Sequence, residues 1–232
     1  MLQHQSTEIV ANVGLQSPTR ARRNAVRQPL QALEPLGQQV TIRRGKEIYS
    51  EGSAADHSYK IVSGSVRLVK LMSDGHRQIC EFLVAGDLFG FEGEDERYFA
   101  AEAVSDCVLV RYNRRDVDTL IAEDTAFARH MRHLASKGLE AAYKRMVLLC
   151  HKSAHERIAW FLLELADRTA NDNDCIQLPM TRGDIADYLG MVIETVSRTL
   201  TQLKESGVIS MLSVNRIKLV DRDALEEARG DL

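Results

Sequence analysis

The chain reads TRGDIADYLGMVIETVSR from Thr181 to Arg198, and the spacing of its small and apolar residues is that of a helix-turn-helix. Counted from Arg182, the fifth position is the small Ala186, the ninth is Gly190 and the fifteenth is Val196. A small fifth residue lets two helices approach closely, and a glycine in the turn readily adopts the left-handed backbone that ends a helix. The stretch therefore predicts two short helices joined at Gly190.

The second predicted helix has one face that packs and another that is free to contact DNA. Its apolar residues recur at helical spacing and share the inward face: Val196, Leu200 and Leu203. The free face, which we expect to read bases, carries Glu194, Ser197 and Arg198. The helix is expected to end at Gly207.

Glu194 and Arg198 lie four residues apart, so both side chains enter the same stretch of a major groove. A guanidinium donates two hydrogen bonds to guanine and a carboxylate accepts from the cytosine amine, and each contact discriminates by about 1–3 kcal/mol. The alternative is a surface ion pair within the helix, contributing about 0.3–0.5 kcal/mol. Because the preceding helix and turn have the required spacing, we interpret the pair as base-reading.

The composition predicts two globular domains in the cytoplasm. A chain of 232 residues with 44% hydrophobic and 27% charged residues exceeds the commonest single-domain size. No apolar stretch reaches membrane-spanning length, and the N-terminus lacks the apolar block of an export signal. The four cysteines are widely spaced without a C-x-x-C pair, which favours a reducing compartment: Cys80, Cys107, Cys150 and Cys175.

The net charge of −3 argues against indiscriminate nucleic-acid binding, since a basic surface is the usual footprint of that activity. In residues 181–220 the numbers of basic and acidic side chains are nearly equal. Their basic side chains are Arg182, Arg198, Lys204, Arg216 and Lys218. Their acidic side chains are Asp184, Asp187, Glu194 and Glu205. We therefore expect dimerisation and direct base readout to matter more than bulk attraction.

Residues 1–29 are rich in Gln, Ser, Asn and Arg and show no sustained periodicity. Such a composition cannot bury a core, so we predict a flexible N-terminal arm. Its arginines are interpreted as solvated, with contact to phosphate as the alternative.

Residues 30–118 form a predicted β-roll, because short alternating apolar runs are separated by regularly placed glycines. The Asp74-Gly75 pair lies between the runs Val66–Leu71 and Gln78–Leu83, which predicts a hairpin with a tight turn. Many short strands with such turns are typical of a jelly-roll.

Residues 119–152 are predicted to form one long dimerisation helix, since they contain no proline and only one glycine. Apolar residues at spacings of three and four make a wide stripe, which we interpret as a dimer seam. The alternative is packing on the β-domain of the same chain alone. The predicted seam residues are Phe127, Met131, Leu134, Leu139, Ala142, Met146 and Leu149.

Residues 153–232 are predicted to form a winged helix-turn-helix domain. A helix from Ala154 to about Arg168 and a strand Cys175–Leu178 precede the reading motif, and two short strands around Ser213-Val214-Asn215 make the wing. A wing can lie along the phosphate backbone. Contacts to the DNA backbone are expected from Thr181, Arg182, Thr195 and Arg216. The complete fold class is thus α+β: a β-roll, a long helix and a winged helix-turn-helix.

With these parts in this order, the chain resembles the CRP/FNR superfamily of bacterial transcription regulators from about Leu30 to its end. The most specific part is Met180–Arg198, which is similar to the fumarate-nitrate-reduction branch more than to the cyclic-AMP branch. The resemblance implies base contacts at Glu194, Ser197 and Arg198, with Ile193 tuning half-site preference. It also implies a homodimer on a double-stranded palindrome similar to TTGAT and ATCAA, and contact with RNA polymerase.

The predicted sensor domain departs from the oxygen-sensing relatives, which hold an iron–sulfur cluster with cysteines. This chain has no cysteine before Cys80, and only Cys107 resembles a ligand of that family. One thiolate cannot hold a cluster that needs four ligands. We therefore predict no cofactor.

The chain also departs from the cyclic-AMP relatives, whose phosphate loop begins Phe-Gly-Glu and ends Arg-Ser. Here Phe89-Gly90 is followed by Phe91, and Arg97 is followed by Tyr98. Losing both sensing chemistries while keeping the reader resembles the FixK-type subgroup. That resemblance implies effector-free activation of genes for low-oxygen respiration and nitrogen fixation, with a nucleotide-, haem- or thiol-gated regulator of the same fold as the alternative.

Cysteines and histidines elsewhere in the chain are the other candidates for chemistry. Cys175 is a candidate redox thiol because it is the cysteine nearest the reading motif, whereas Cys80 and Cys107 are interpreted as small core residues. Two histidine pairs have the helical spacing that lets both side chains bind one metal ion, but neither pair has an evident third ligand: His130 with His133, and His151 with His155. No nucleophile elbow, phosphate loop or H-E-x-x-H motif occurs, so we predict that the protein is not an enzyme.

Overall fold

The computed structural model describes residues 30–93, 95–169 and 174–230, so the arm predicted for residues 1–29 lies outside the described residues. The described chain begins with a 3-10 helix, Gln31–Leu36. The strands of the N-terminal domain are β1 (Gly37–Ile42), β2 (Glu47–Tyr49), β3 (His57–Ser63), β4 (Ser65–Leu71), β5 (Arg77–Val84), β6 (Leu88–Phe89), β7 (Ala100–Ala103) and β8 (Cys107–Asn113).

The elements that follow complete the chain in the order expected from the sequence. They are α1 (Arg114–Glu123), α2 (Thr125–His151), α3 (Ala154–Thr169), β9 (Cys175–Gln177), α4 (Arg182–Leu189), α5 (Ile193–Glu205), β10 (Ile209–Ser213), β11 (Arg216–Leu219) and α6 (Arg222–Arg229). Among the described residues, no helix has the length and apolar content needed to cross a membrane.

The N-terminal strands form two antiparallel sheets, in the orders β1-β8-β3-β6 and β2-β7-β4-β5. Apolar side chains from both sheets share one core, as the alternating pattern of the strands requires. Buried members of this core include Tyr49, Ile61, Val66, Leu83 and Leu109. The predicted β-roll is confirmed.

The hairpin predicted at Asp74-Gly75 is present, but its connection is longer than the tight turn that we expected. Leu71 pairs with Arg77, so five residues lie between the strands. The Asp74 carboxylate accepts the His76 N–H at 2.9 Å, and Gly75 has a φ of +83°. An aspartate that bonds a nearby backbone amide stabilises such a wider turn.

The long helix predicted from Thr119 is interrupted, so that part of the prediction was wrong. Asp124 has an extended backbone and separates α1 from α2. Its carboxylate oxygen Oδ1 accepts the N–H groups of Ala126 and Phe127 at 2.8 and 3.0 Å. A carboxylate that caps two free amides favours a new helix start over continuation.

Phe127 was expected in the dimer seam, and this assignment was wrong. Its side chain is fully buried in its own chain, in a cluster with Leu33, Tyr112 and Val117. Here the alternative packing on the β-domain applies, because a phenylalanine two residues into α2 reaches the β8 strand and the 3-10 helix. The first turns of α2 are therefore anchored to the N-terminal domain.

The C-terminal domain is the predicted winged helix-turn-helix. Strands β10 and β11 form the wing and β9 adds a third strand in the order β10-β11-β9. Helix α3 buries the apolar face expected from its sequence, namely Ile158, Phe161, Leu162 and Leu165. Leu225 of α6 joins the same core. This core continues without a break into β4 and β5 of the β-roll.

Candidate nucleic-acid interface

Helix α4 begins and ends where its sequence indicates. The Thr181 hydroxyl accepts the Asp184 N–H, and the Asp184 carboxylate accepts the Thr181 N–H, which is a complete capping box. The helix ends at Gly190, whose backbone is left-handed with φ of 61° and ψ of 47°. A residue with a Cβ atom is disfavoured in that conformation, so the turn requires glycine.

Helix α5 has the two faces expected from its sequence. The inward residues are all buried: Val196, Leu200 and Leu203. The four predicted base-reading residues lie together on the exposed face: Ile193, Glu194, Ser197 and Arg198. The exposed face of α5 is thus free to enter a groove of matching width.

Glu194 and Arg198 are not engaged with each other. In the described part of the chain the two form no salt bridge, and Arg198 Nη2 lies 3.5 Å from Thr195 Oγ1. A hydrogen bond at that distance is weak. Both charged groups therefore remain available for a ligand.

The residues predicted to contact the DNA backbone have different surroundings. Thr181 caps α4, and Thr195 is half-buried in the first turn of α5. Arg216 is exposed on β11. Arg182 is half-buried, and burial lowers its pKa. Its Nη1 atom is buried without a hydrogen-bond partner among the described residues, and the Arg182 side chain lines the groove beside α5.

Sequence reasoning missed several residues of this surface. The groove that holds Arg182 runs between α5 and the wing and is also lined by Thr201, Lys204, Ser213 and Val214. Val192, at the N-terminal cap of α5, is 62% exposed and makes no side-chain capping bond. The helical spacing of Ser197, Thr201 and Lys204 is the signal that identifies part of this groove.

The β-roll directs the side chain of Arg97 inward. Arg97 Nη1 donates to the Gly90 carbonyl at 2.7 Å, and Nη2 donates to the His57 carbonyl. The guanidinium also lies 4.2 Å from the centre of the Tyr49 ring. A cavity of about 610 Å³ separates the β-roll from α2, lined by Phe91, Ala142 and Arg145 among others.

The predicted dimer seam is open to solvent in its middle part. Leu139 and Met146 are 54% and 57% exposed, and Ala142 is exposed between them. Met131, Leu134 and Leu149 are half-buried. Two further exposed apolar residues belong to the same stripe but not to the predicted seam, Tyr143 and Val147. Contiguous exposed apolar residues on one helix face are typical of a protein–protein contact surface.

The cysteines and histidines form no evident metal centre. Within the described ranges, no three His, Cys, Asp or Glu side chains are grouped to hold a metal ion. Cys107 is buried as expected, but Cys80 is only half-buried, and burial raises the pKa of both thiols. Cys175, the candidate redox thiol, is half-buried on β9.

Two family models match this chain. The Crp-like helix-turn-helix domain matches residues 156–228, and the cyclic nucleotide-binding domain matches residues 39–124. Both fall on the domains described above.

Known proteins match most of the chain. The nitrogen fixation regulation protein FixK of Azorhizobium caulinodans is 43% identical over 201 residues, which cover 85% of this chain and 81% of the relative. The fumarate and nitrate reduction regulatory protein of Escherichia coli is 30% identical over 82% of this chain and 77% of its own length. The structure of FixK2 from Bradyrhizobium japonicum has a TM-score of 0.82 at 37% identity, covering 84% of this chain and 98% of that chain.

Proposed function

Because this chain belongs to the CRP/FNR superfamily of transcription regulators, in its FixK-type subgroup, we propose that it is an effector-independent activator that binds a palindromic DNA site as a homodimer. The relatives named above are transcription regulators, which confirms the predictions of a DNA-binding regulator and not an enzyme. The proposed site is similar to TTGAT and ATCAA separated by a short spacer. The observation that carries this proposal is the exposed face of α5.

The chemistry of that face fits the proposed site. Arg198 reaches a guanine and Glu194 reaches the cytosine amine, while Ser197 bonds either kind of base edge. The exposed side chain of Ile193 supplies an apolar contact for a thymine methyl group. Thr181, Arg182, Thr195 and Arg216 contact the phosphates that flank these bases and fix the register.

The homodimer is supported by the open apolar stripe on α2. Pairing two copies of α2 buries Leu139, Ala142 and Met146, with Met131, Leu134 and Leu149 at the margins. A two-fold axis along this seam presents two α5 helices to successive major grooves, about 34 Å apart. The symmetry of the protein then matches the symmetry of the palindrome.

Effector independence is supported by the position of Arg97. Its hydrogen bonds to Gly90 and His57 occupy the guanidinium inside the β-roll, so it is withdrawn from a cyclic phosphate. The cavity beside α2 keeps a nucleotide-gated regulator as the second candidate. Isothermal titration with cyclic AMP and cyclic GMP separates the two, since saturable binding at micromolar concentration contradicts effector independence.

The proposed biological role follows the names of the relatives. FixK of Azorhizobium caulinodans and of Rhizobium meliloti are named as nitrogen fixation regulation proteins. We infer that this chain controls genes for nitrogen fixation or low-oxygen respiration in the cytoplasm, by contacting RNA polymerase at the promoter. Because the proposed activator needs no effector, its activity is set by the amount of protein in the cell. The alternative is control by oxidation of the Cys175 thiol.

Fluorescence anisotropy with a labelled TTGAT/ATCAA duplex tests the proposal directly. The protein without additives is expected to bind this duplex at least about 1,000-fold more tightly than a scrambled duplex at physiological salt. The measurement is repeated in air and with a reductant, and an absorption spectrum is taken of the same sample. Equal binding to both duplexes contradicts the proposed function, and a visible absorption band or a redox-dependent affinity contradicts effector independence.

Glu194→Ala is expected to relax discrimination at the base pair whose cytosine it reads, because the amine of that cytosine then loses its acceptor. Anisotropy on duplexes substituted at each position of the half-site should show a loss of about 1–3 kcal/mol of discrimination at one position only. Gln202→Ala, a change at an exposed residue further along α5, is the control and should leave the profile unchanged. Uniform weakening at every position would contradict base reading by Glu194.

A further inference from the structure

The β4–β5 hairpin of the β-roll packs directly against α4, the first helix of the helix-turn-helix. The C-terminal domain that contains this motif, residues 154–230, is called the reading module. The rings of Phe82 and Tyr188 lie with their centres 5.0 Å apart. Val69 and Ile79 of the hairpin belong to the same buried cluster as Ile185 of α4. The two domains of one chain therefore share a core at α4 and are not merely tethered.

Two arginines of the hairpin bind the carboxylates of α4. Arg67 Nη1 and Arg77 Nη2 each donate to Asp184 Oδ1 at 2.7 Å. Arg77 Nε and Nη2 also donate to Asp187 Oδ2, at 2.9 and 2.6 Å. Gln78 Nε2 donates to the main-chain oxygen of Asp187 at 2.6 Å. Guanidinium–carboxylate bonds of this kind fix orientation as well as distance.

Asp184 connects these arginines to the start of α4. Its side chain is only 4% exposed, and its second oxygen accepts the Thr181 N–H at 2.9 Å. Burial by itself raises the pKa of Asp184, but the Thr181 N–H, Arg67 and Arg77 outweigh burial, so the pKa lies below its ordinary value. The carboxylate is therefore charged at neutral pH, and leaving it without a partner is costly.

The same contacts change the charge of the reading surface. Residues 181–220 contain five basic and four acidic side chains, which is a near balance in sequence. In the structure, Arg67 and Arg77 pair with Asp184 and Asp187, two of the four acids, and both arginines lie outside the reading module. The surface offered to phosphate is consequently more basic than its own sequence indicates.

We propose that Arg67 and Arg77 are positioning residues for DNA recognition: they hold α4, and through it α5, in the orientation that fits the DNA. The inference rests on the proposed function. Only Lys152 and Ser153 separate α2 from α3, so the reading module is joined to the rest of the chain by a short connection. Without the arginine bonds, α4 is held to the hairpin mainly by the apolar contact of Phe82 with Tyr188, which fixes its orientation less strictly than a directional ion pair. The measured affinity then falls in proportion to the fraction of molecules whose orientation fits the DNA.

Arg77→Ala and Asp187→Ala in the full chain distinguish positioning from charge. If charge alone mattered, Asp187→Ala would strengthen DNA binding because it removes a negative charge, and Arg77→Ala would weaken DNA binding because it removes a positive charge. Positioning predicts that both substitutions weaken binding to the TTGAT/ATCAA duplex, each by about tenfold, with a smaller effect on a scrambled duplex. The double substitution Arg77→Ala with Asp187→Ala is expected to weaken binding no more than Arg77→Ala alone, because the two residues act through one ion pair.

Two further variants control for loss of the fold. Arg77→Lys keeps the charge but not the two-nitrogen geometry, so its affinity should lie between wild type and Arg77→Ala. Arg111→Ala removes an arginine of the β-roll whose side chain bonds Gln38, away from α4, and should leave DNA binding unchanged. Circular dichroism confirms that each variant is folded at the temperature of the measurement.

Hydrogen exchange of the DNA-free protein provides a readout that does not depend on DNA. Exchange in the peptide that covers α4 should rise in Arg77→Ala and in Asp187→Ala, and the double substitution should raise it no further than Arg77→Ala alone. Unchanged exchange in α4, or Asp187→Ala binding DNA as tightly as wild type or tighter, overturns the proposal. If the wild-type protein shows no preference for the palindrome, the proposed function fails, and the exchange data still decide whether the arginines position α4.

Discussion

Met146→Asp is expected to leave the protein monomeric and to abolish its tight binding to the palindromic duplex. Met146 is 57% exposed at the centre of the apolar stripe on α2, so in a dimer its side chain is covered by the partner. A two-fold seam places the two new carboxylates close together and away from water, which costs several kcal/mol. A monomer holds only one half-site, so we expect affinity for the full site to fall by about 100-fold or more.

Sedimentation velocity measures the first part of this prediction and anisotropy measures the second. Leu71→Asp is the matched control, since Leu71 is 65% exposed on the β4–β5 hairpin and lies outside α2. It should leave the protein dimeric. If Met146→Asp also sediments as a dimer, the seam lies elsewhere on the molecule and the stripe on α2 serves another purpose.

Arg198→Ala is expected to remove specific binding while leaving weak general binding. The guanidinium is exposed on α5 and engages no carboxylate in the described residues, so truncation disturbs no internal contact of consequence. Losing two hydrogen bonds to guanine should cost about 1–3 kcal/mol at each half-site. Because the proposed dimer uses two half-sites, the cost applies twice.

Arg216→Ala is the comparison that distinguishes base reading by Arg198 from a phosphate contact. Arg216 is exposed on β11 of the wing, where a phosphate contact is expected. Arg216→Ala should therefore weaken binding to the matched duplex and to the scrambled duplex by the same factor. Its loss should also reduce the salt slope by about one. An equal loss on both duplexes for Arg198→Ala would show that Arg198 contacts phosphate and does not read bases.

The features that the sequence predicted correctly are those whose causes are local. The left-handed Gly190 and the inward stripe on α5 both involve residues within one or two helical turns. The hairpin at Asp74-Gly75 is equally local. The start of α2 after Asp124 also had a local signal, because aspartate is a favourable residue at the N-terminal cap of a helix. The prediction relied on the absence of proline in this stretch and therefore continued the helix through Asp124.

The features that it missed depend on how distant parts of the chain meet. Phe127 and Met146 both belong to one apolar stripe in sequence, yet the first is buried against the β-domain and the second is open to a partner. Periodicity identifies an apolar face but not the surface that covers it. The inward direction of Arg97 likewise depends on Tyr49, which lies on a separate strand.

By itself, the sequence determined that this chain contains a DNA-reading helix-turn-helix, and which residues of α5 face outward, since both follow from spacing and capping within one short segment. Only the tertiary structure decided what holds that segment in place. Arg67 and Arg77 lie more than 100 residues before the α4 carboxylates that they bind. Such pairs leave no periodic trace, because an ion pair between two domains depends on three-dimensional approach and not on position along the chain.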